Sequence, residues 1–295
     1  MSRQAKAYGY AALTVLIWST VASAFKLSLQ HLSTLQLLLW ADVVSIVCLF
    51  CVLAVQKKLS VLAAYGRQEL LRSAGLGVLN PFLYYTVLFA AYDLLPAQEA
   101  QPLNYTWAIT LSLLSIPLLG QSLGLREILG IFVSYFGVVV ISTRGNLLAL
   151  EFSNGAGVLL ALASTVIWAL YWISNTRSES DPVAGLFFNF VFALPFILAA
   201  CILFSDPIPA SLPALIGAVY VGIFEMGITF VFWLKALKLT RSTARVSTLI
   251  FFSPFLSLVF IRILVGEDIR VSTVVGLCFI IAGSLLQQTA EPAAA

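Results

Sequence analysis

Charge is scarce in this chain: Asp, Glu, Lys and Arg make up 10% of its 295 residues, against about 25% in an ordinary soluble domain. So little charge cannot cover a water-facing surface, and a soluble enzyme is excluded. His31 is the sole histidine, which removes the His-rich metal sets and the His-dependent nucleophile triads. The 16 Lys/Arg against 13 Asp/Glu leave a net charge of +3, too small and too dispersed for a nucleic-acid surface. Neither G-x-x-x-x-G-K-S/T nor H-E-x-x-H nor G-x-S-x-G occurs, so a nucleotide-driven pump and the common hydrolase sites have no sequence support. The four cysteines, Cys48, Cys51, Cys201 and Cys278, all lie in apolar stretches. Cys48-x-x-Cys51 has no second pair and no nearby histidine, and reads as two small residues on one helix face. No metal and no cofactor is expected.

What the chain has in excess is apolar surface, with 61% hydrophobic residues. A helix crossing the hydrocarbon core takes about 20 residues, and helices are the open solution in lipid because each backbone N–H is bonded within its own segment. Apolar runs broken by polar, Pro or Gly punctuation give ten spans: about 8–29, 33–55, 71–92, 96–118, 125–143, 155–176, 182–204, 213–238, 243–263 and 268–288. The expected class is an all-α membrane protein. Arg3 and Lys6 before an apolar run that ends in Ala22-Ser23-Ala24 resemble a cleaved signal, but the repeat described next needs this segment, so a retained helix is expected.

Basic residues resist translocation and set orientation. With a cytoplasmic N-terminus, the inner side receives Arg3, Lys6, Lys57, Lys58, Arg67, Arg72, Arg126, Arg177, Lys235, Lys238, Arg241 and Arg245, and the outer side Lys26, Arg144, Arg262 and Arg270. Both termini are therefore expected in the cytoplasm.

The two halves of the chain resemble each other. Gly120-x9-Gly130-x6-Gly137 recurs as Gly266-x9-Gly276-x6-Gly283, Ile17-Trp18 as Ile167-Trp168, and Gly77-x2-Asn80 as Gly222-x2-Glu225, with offsets of 145 to 150. Five spans per half place the second half upside down in the membrane, which predicts repeats over 1–147 and 148–295 with a substrate site near the midplane between them.

Ile17-Trp18, the Ser253-Pro254 step in span 9 and the Gly266-Glu267 turn leading to Gly276 and Gly283 make the chain resemble the ten-helix EamA type of the drug/metabolite transporter superfamily. The likeness runs over essentially the whole chain, and its aromatic character is most similar to the bacterial aromatic amino acid exporters. The resemblance implies a multi-pass inner-membrane protein that exports small organic solutes by alternating access without ATP hydrolysis. A small-molecule substrate and the lipid bilayer are the partners it implies, and nucleic acid is not among them. The sequence departs from that pattern at Asp42, where many members carry arginine, and at Gln121, where the first repeat often has glutamate. Export of another metabolite or a drug, an intramembrane enzyme and a continuous channel are the alternative readings.

A charge at mid-bilayer is costly, so such residues face a cavity or a partner. Glu225 lies near the middle of span 8, and its repeat mate Asn80 sits at a related depth in span 3, before Pro81. Glu225 is read as a substrate contact or proton site, against a structural, hydrogen-bonded glutamate. Asp42 and its mate Asn189 are expected to join helices by hydrogen bonds, and Lys26, Lys235 and Arg262 to extend their charges to the headgroups. In span 4, Gln98, Gln101 and Tyr105 share a face, with Asn104 beside them; neutral amide and hydroxyl groups of this kind suit an amino-acid zwitterion. Trp18 and Trp168, paired by the repeat, Tyr84 one turn after Asn80 and Trp233 two turns after Glu225 are the candidate stacking groups. The expected substrate-binding set is thus Trp18, Asn80, Tyr84, Gln101, Tyr105, Trp168, Glu225 and Trp233. Pro81 and Pro254 are the expected hinges, and Pro102, Pro117 and Pro195 argue for bends in their own spans.

Overall fold

The computed structural model describes residues 2–119, 124–148, 152–175, 181–209, 214–240 and 248–288. Gly120, Gln121, Arg177, Arg241, Arg245, the start of span 9 at 243–247 and the side chain of Lys238 lie outside the described residues. The described chain is helical, with no strand among the described residues. Its helices are α1 (Arg3–Ser28), α2 (Thr34–Val55), α3 (Leu59–Ala63), α4 (Arg67–Gly77), α5 (Tyr84–Leu94), α6 (Ala97–Asn104), α7 (Trp107–Leu119), α8 (Leu125–Ser142), α9 (Gly155–Asn175), α10 (Pro182–Phe204), α11 (Ala214–Tyr220), α12 (Ile228–Leu239), α13 (Phe252–Phe260) and α14 (Val271–Gln288). Six stretches are long and apolar enough to cross a membrane: Arg3–Ser28, Thr34–Val55, Arg67–Leu94, Gly155–Ser174, Pro182–Phe204 and Ala214–Leu237. Ile128–Ser142, Leu249–Val265 and Val271–Leu286 are shorter apolar helices.

Local chemistry explains where the helices begin. The Ser2 hydroxyl accepts from the Ala5 amide, and Ser33 and Gln36 form a reciprocal capping box at α2, each satisfying amides that the first turn leaves unbonded. Asp181 accepts from the Val183 and Ala184 amides ahead of α10, with Pro182 in the first helical position, where its missing N–H costs nothing.

Three expected spans are broken. Span 3 runs as α4 and α5 across a wide turn at Val78–Leu83, in which Asn80 has the extended dihedrals φ −145° and ψ 118°. Span 8 divides into α11 and α12 at Val221–Glu225, where the Met226 amide bonds to the Val221 carbonyl five residues back. Span 4 divides at Tyr105 and Thr106, between α6 and α7, shortly after Pro102, which withholds a helix N–H. The prolines otherwise differ from expectation. Pro195 sits inside a continuous α10 and interrupts nothing. Pro254 lies in the first turn of α13, after a short 3-10 segment at Thr248–Phe251. The joint therefore precedes Pro254, because a first-turn proline forfeits no intrahelical bond.

The repeated glycines are contact points between helices. A Cβ on Gly137 would strike the Gly276 carbonyl and Phe279, one on Gly276 would strike Ile141 and the Gly137 carbonyl, and one on Gly283 would strike Ser134 and the Gly130 carbonyl. Helices α8 and α14 thus cross antiparallel at backbone contact, Gly137 on Gly276 and Gly130 beside Gly283, in the manner of small-residue membrane packing. Gly77 abuts the Asn189 carbonyl of α10, and Gly222 abuts the Ala41 carbonyl of α2.

Candidate functional site

Glu225 occupies the break between α11 and α12, and the Tyr85 hydroxyl donates to its Oε1 at 3.1 Å. Tyr85 is fully buried, whereas Glu225 keeps part of its surface open. Next to Tyr85, the Tyr84 hydroxyl donates to Asn104 Oδ1 at 3.4 Å, and the Asn104 amide donates to Ser164 of α9 at 3.0 Å. Asn104 and Tyr105 also keep some accessible surface, and Tyr105 lies beside Ser253. Polar groups from α5, α6, α9, α13 and the break between α11 and α12 thus lie along one run of neighbours.

Aromatic rings continue this run. Tyr84 stacks on Trp168 with centroids 4.6 Å apart, and Trp168 stacks on Tyr171 at 5.6 Å. Phe230 lies 6.1 Å from Trp168 and 5.8 Å from Trp18, and Trp18 lies 6.0 Å from Trp233. Offset and tilted pairs at these separations are attractive. Trp168 is covered by its neighbours, whereas Trp18 is part-exposed and its Nε1 has no hydrogen-bond partner among the described residues. Of the expected set, Trp18, Tyr84, Trp168, Glu225 and Trp233 therefore fall along one continuous chain of contacts.

The end of the molecule where α6 begins is sealed. Leu95, Ala97, Ala100 and Leu103 are fully buried, with Gln98, Glu99 and Gln101 buried among them. Glu267 accepts from the Ala97 and Gln98 amides at 2.7 and 3.1 Å, and the Gln98 side chain bonds to the Asp268 carbonyl, the Arg270 amide and the Thr273 hydroxyl. The Glu99 carboxylate receives Arg144, Arg270 and Ser153. Helix α6 is bound in this way to the turn ahead of α14.

The profile of the EamA-like transporter family matches this chain twice, over residues 5–143 and 155–287. The chain belongs to the EamA-like transporter family. An uncharacterized transporter of Clostridium kluyveri is 30% identical over 173 residues, 56% of this chain and 54% of the relative. The aromatic amino acid exporter YddG of Ancylobacter novellus is 30% identical over 162 residues, 53% of this chain and 55% of that protein. In each case the alignment spans about half of the relative's length. A crystal structure shares the fold with a TM-score of 0.67 at 21% identity, covering 96% of both chains. Family and relatives point to a multi-pass membrane transporter of small molecules rather than an enzyme. Among the described residues, no three His, Cys, Asp or Glu side chains are grouped as a metal site requires.

Among the other polar residues of this EamA-like transporter, Lys26 and Asp42 take places that differ from expectation, whereas Asn189 joins two helices as expected. Lys26 donates to the Tyr92 and Leu95 carbonyls at 2.7 and 2.9 Å; it caps the carbonyl end of α5, where a cation is favoured, instead of reaching for headgroups. Lys235 lies over the Tyr10 ring at 5.6 Å, and Arg262 pairs with exposed Asp268. Asn189, its amide oriented so that the oxygen accepts from Tyr171, donates to the Gly185 and Ser73 carbonyls and so joins α10 to α4. Its mate Asp42 differs: it is fully buried, with neither carboxylate oxygen bonded among the described residues. Asn80 is buried in its turn near Tyr171, and Gln101 is buried one helical turn from Gln98, with its Oε1 unbonded among the described residues. Tyr85, Tyr171 and Phe230 were not among the expected residues. Tyr171 follows Trp168 by one helical turn, a signal that periodicity could have supplied. The partnership of Tyr85 with Glu225, 140 residues apart, leaves no local trace.

Proposed function

We propose that this chain is a secondary transporter that exports small organic solutes, aromatic and other neutral amino acids foremost, by alternating access about the Glu225 site. The observation that carries the reading is the Glu225–Tyr85 pair joined to the run of rings from Tyr84 through Trp168 to Trp18. A part-open carboxylate amid stacked aromatic groups at mid-span is a binding site for an amphipathic solute.

The same reading takes 1–147 and 148–295 as inverted five-span repeats with both termini in the cytoplasm. Three pairings support it. The mates Asn80 and Glu225 both lie in helix breaks. The mates Gly77 and Gly222 each meet a backbone carbonyl of another span. The mates Gly137 and Gly283 each touch the opposite helix of the α8–α14 crossing. The sealed end then faces outward, so the Glu99 and Glu267 bonds act as the outer gate, and opening requires α6 to part from the turn before α14. The name of the Ancylobacter novellus exporter favours aromatic substrates among the solutes the family carries.

Flux of tryptophan and threonine through purified protein in liposomes tests this reading. Trp18→Ala and Trp168→Ala are each expected to slow tryptophan more than threonine, since stacking is lost for the aromatic solute alone. Equal slowing of both would assign the rings to packing and refute the site.

A further inference from the structure

The charges around the central site are one-sided. Glu225 uses Oε1 for Tyr85, and its second oxygen has no hydrogen-bond partner among the described residues. The ion pairs Lys58–Asp181, Arg144–Glu99, Arg270–Glu99 and Arg262–Asp268 do not include Glu225. Lys26, Lys235 and Arg72 are engaged elsewhere: Lys26 on the carbonyls that end α5, Lys235 over Tyr10, and Arg72 on the Ser174 carbonyl. Among the described residues, the space therefore offers the Glu225 carboxylate and no cation to a ligand.

The groups beside that carboxylate favour the same sign. Tyr85 carries Glu225 on its hydroxyl and meets Tyr84 edge-on at 4.8 Å; Tyr84 in turn lies flat on Trp168. Ring faces are negative and attract cations, more strongly as water is excluded. An ammonium group has three donors and no acceptor, which complements an unused carboxylate oxygen beside aromatic faces. A ligand carboxylate finds no comparable partner among the described residues; the unbonded donors at the rings are the neutral Nε1 groups of Trp18 and Trp172.

We propose that Glu225 is the counter-charge for a substrate ammonium group, so that the site selects aromatic solutes by their amine and is indifferent to their carboxylate. Aromatic amines, and not only amino acids, are then substrates. This inference rests on the reading of the Glu225 space as the transport site, and goes beyond it in naming the substrate group that the site reads.

The test is competition for uptake into liposomes containing the unmodified protein, with tryptophan, tryptamine and indole-3-propionate as probes. These share the ring and differ in the presence of the carboxylate and the amine. Tryptamine is expected to be transported and to compete at least as well as tryptophan, and indole-3-propionate at least about tenfold more weakly, as for a site left with an unpaired polar group. Glu225→Gln is expected to reduce the difference between tryptamine and indole-3-propionate to less than about threefold, since a neutral amide no longer needs a cation. Comparable competition by indole-3-propionate and tryptamine, or a Glu225→Gln protein that keeps the full difference, overturns the inference. If the variant does not fold, the three compounds on the unmodified protein decide alone. Tryptamine flux without tryptophan flux would refute amino acid export and uphold the inference; tryptophan and indole-3-propionate flux without tryptamine flux would do the reverse.

Discussion

Replacing Glu99 by glutamine removes the charge that holds the sealed end together. Glu99 is fully buried, and Arg144, Arg270 and Ser153 all converge on it. Breaking a buried ion pair costs about 3–5 kcal/mol. Here the Arg144 and Arg270 side chains remain 45% and 36% exposed, so water compensates part of the loss, and about 2 kcal/mol is a reasonable remainder. Arg270 belongs to the turn ahead of α14, so this contact exists only while that turn stays on α6. Its loss multiplies the population open at this end by about thirtyfold. The readout is labelling by a membrane-impermeant maleimide of Gln101→Cys, which replaces a buried residue of the sealed end. The background replaces Cys48, Cys51, Cys201 and Cys278 with serine. Glu99→Gln is expected to raise the labelling rate by about tenfold or more, given the population shift. An unchanged rate would refute the gate, and label arriving only from the cytoplasmic side would refute its assignment to the outer face.

Two further predictions concern the scaffold. Gly276→Leu places atoms where Ile141 and the Gly137 carbonyl already lie; it should destabilise the protein by about 1–3 kcal/mol and lower its melting temperature in detergent, and an unaltered melting temperature would contradict the close α8–α14 crossing. At the start of α10, burial raises the Asp181 carboxyl, but the hydrogen bond from Lys58 and the Ala184 and Val183 amides outweigh it and hold the group below the usual aspartate range. A depressed carboxyl contributes stability that is complete above its unfolded value of about 3.9 and is lost as pH falls through its folded value. Melting temperature should therefore fall between pH 5 and 3 more steeply for the unmodified protein than for Asp181→Asn, as proton linkage requires; parallel curves would deny Asp181 that role.

The parts legible in the sequence are those encoded by local periodicity. Apolar run length gave the helical class, and the spacing of Gly130 and Gly137 against Gly276 and Gly283 pointed to positions that become the α8–α14 contact. Proline was a weaker guide, because its effect depends on position: Pro81 sits in a helix break, Pro195 is absorbed within α10, and Pro254 opens α13. The pairings were not legible. Periodicity assigns a residue to a helix face but not to the helix opposite, so the link of Tyr85 to Glu225 and the convergence of Arg144 and Arg270 on Glu99 depend on tertiary arrangement. Lys26 illustrates the same limit, since a basic residue near a span end reads as a headgroup anchor until a neighbouring helix terminus is known to lie beside it.

This chain alone is expected to move aromatic solutes through the Glu225 site. Counterflow of labelled tryptophan into liposomes preloaded with unlabelled tryptophan, with no ATP present, measures that movement. A transient overshoot that unlabelled tryptamine suppresses, and that is absent from protein-free liposomes, is the predicted result. No overshoot with tryptophan, tryptamine, phenylalanine or tyrosine would contradict the account.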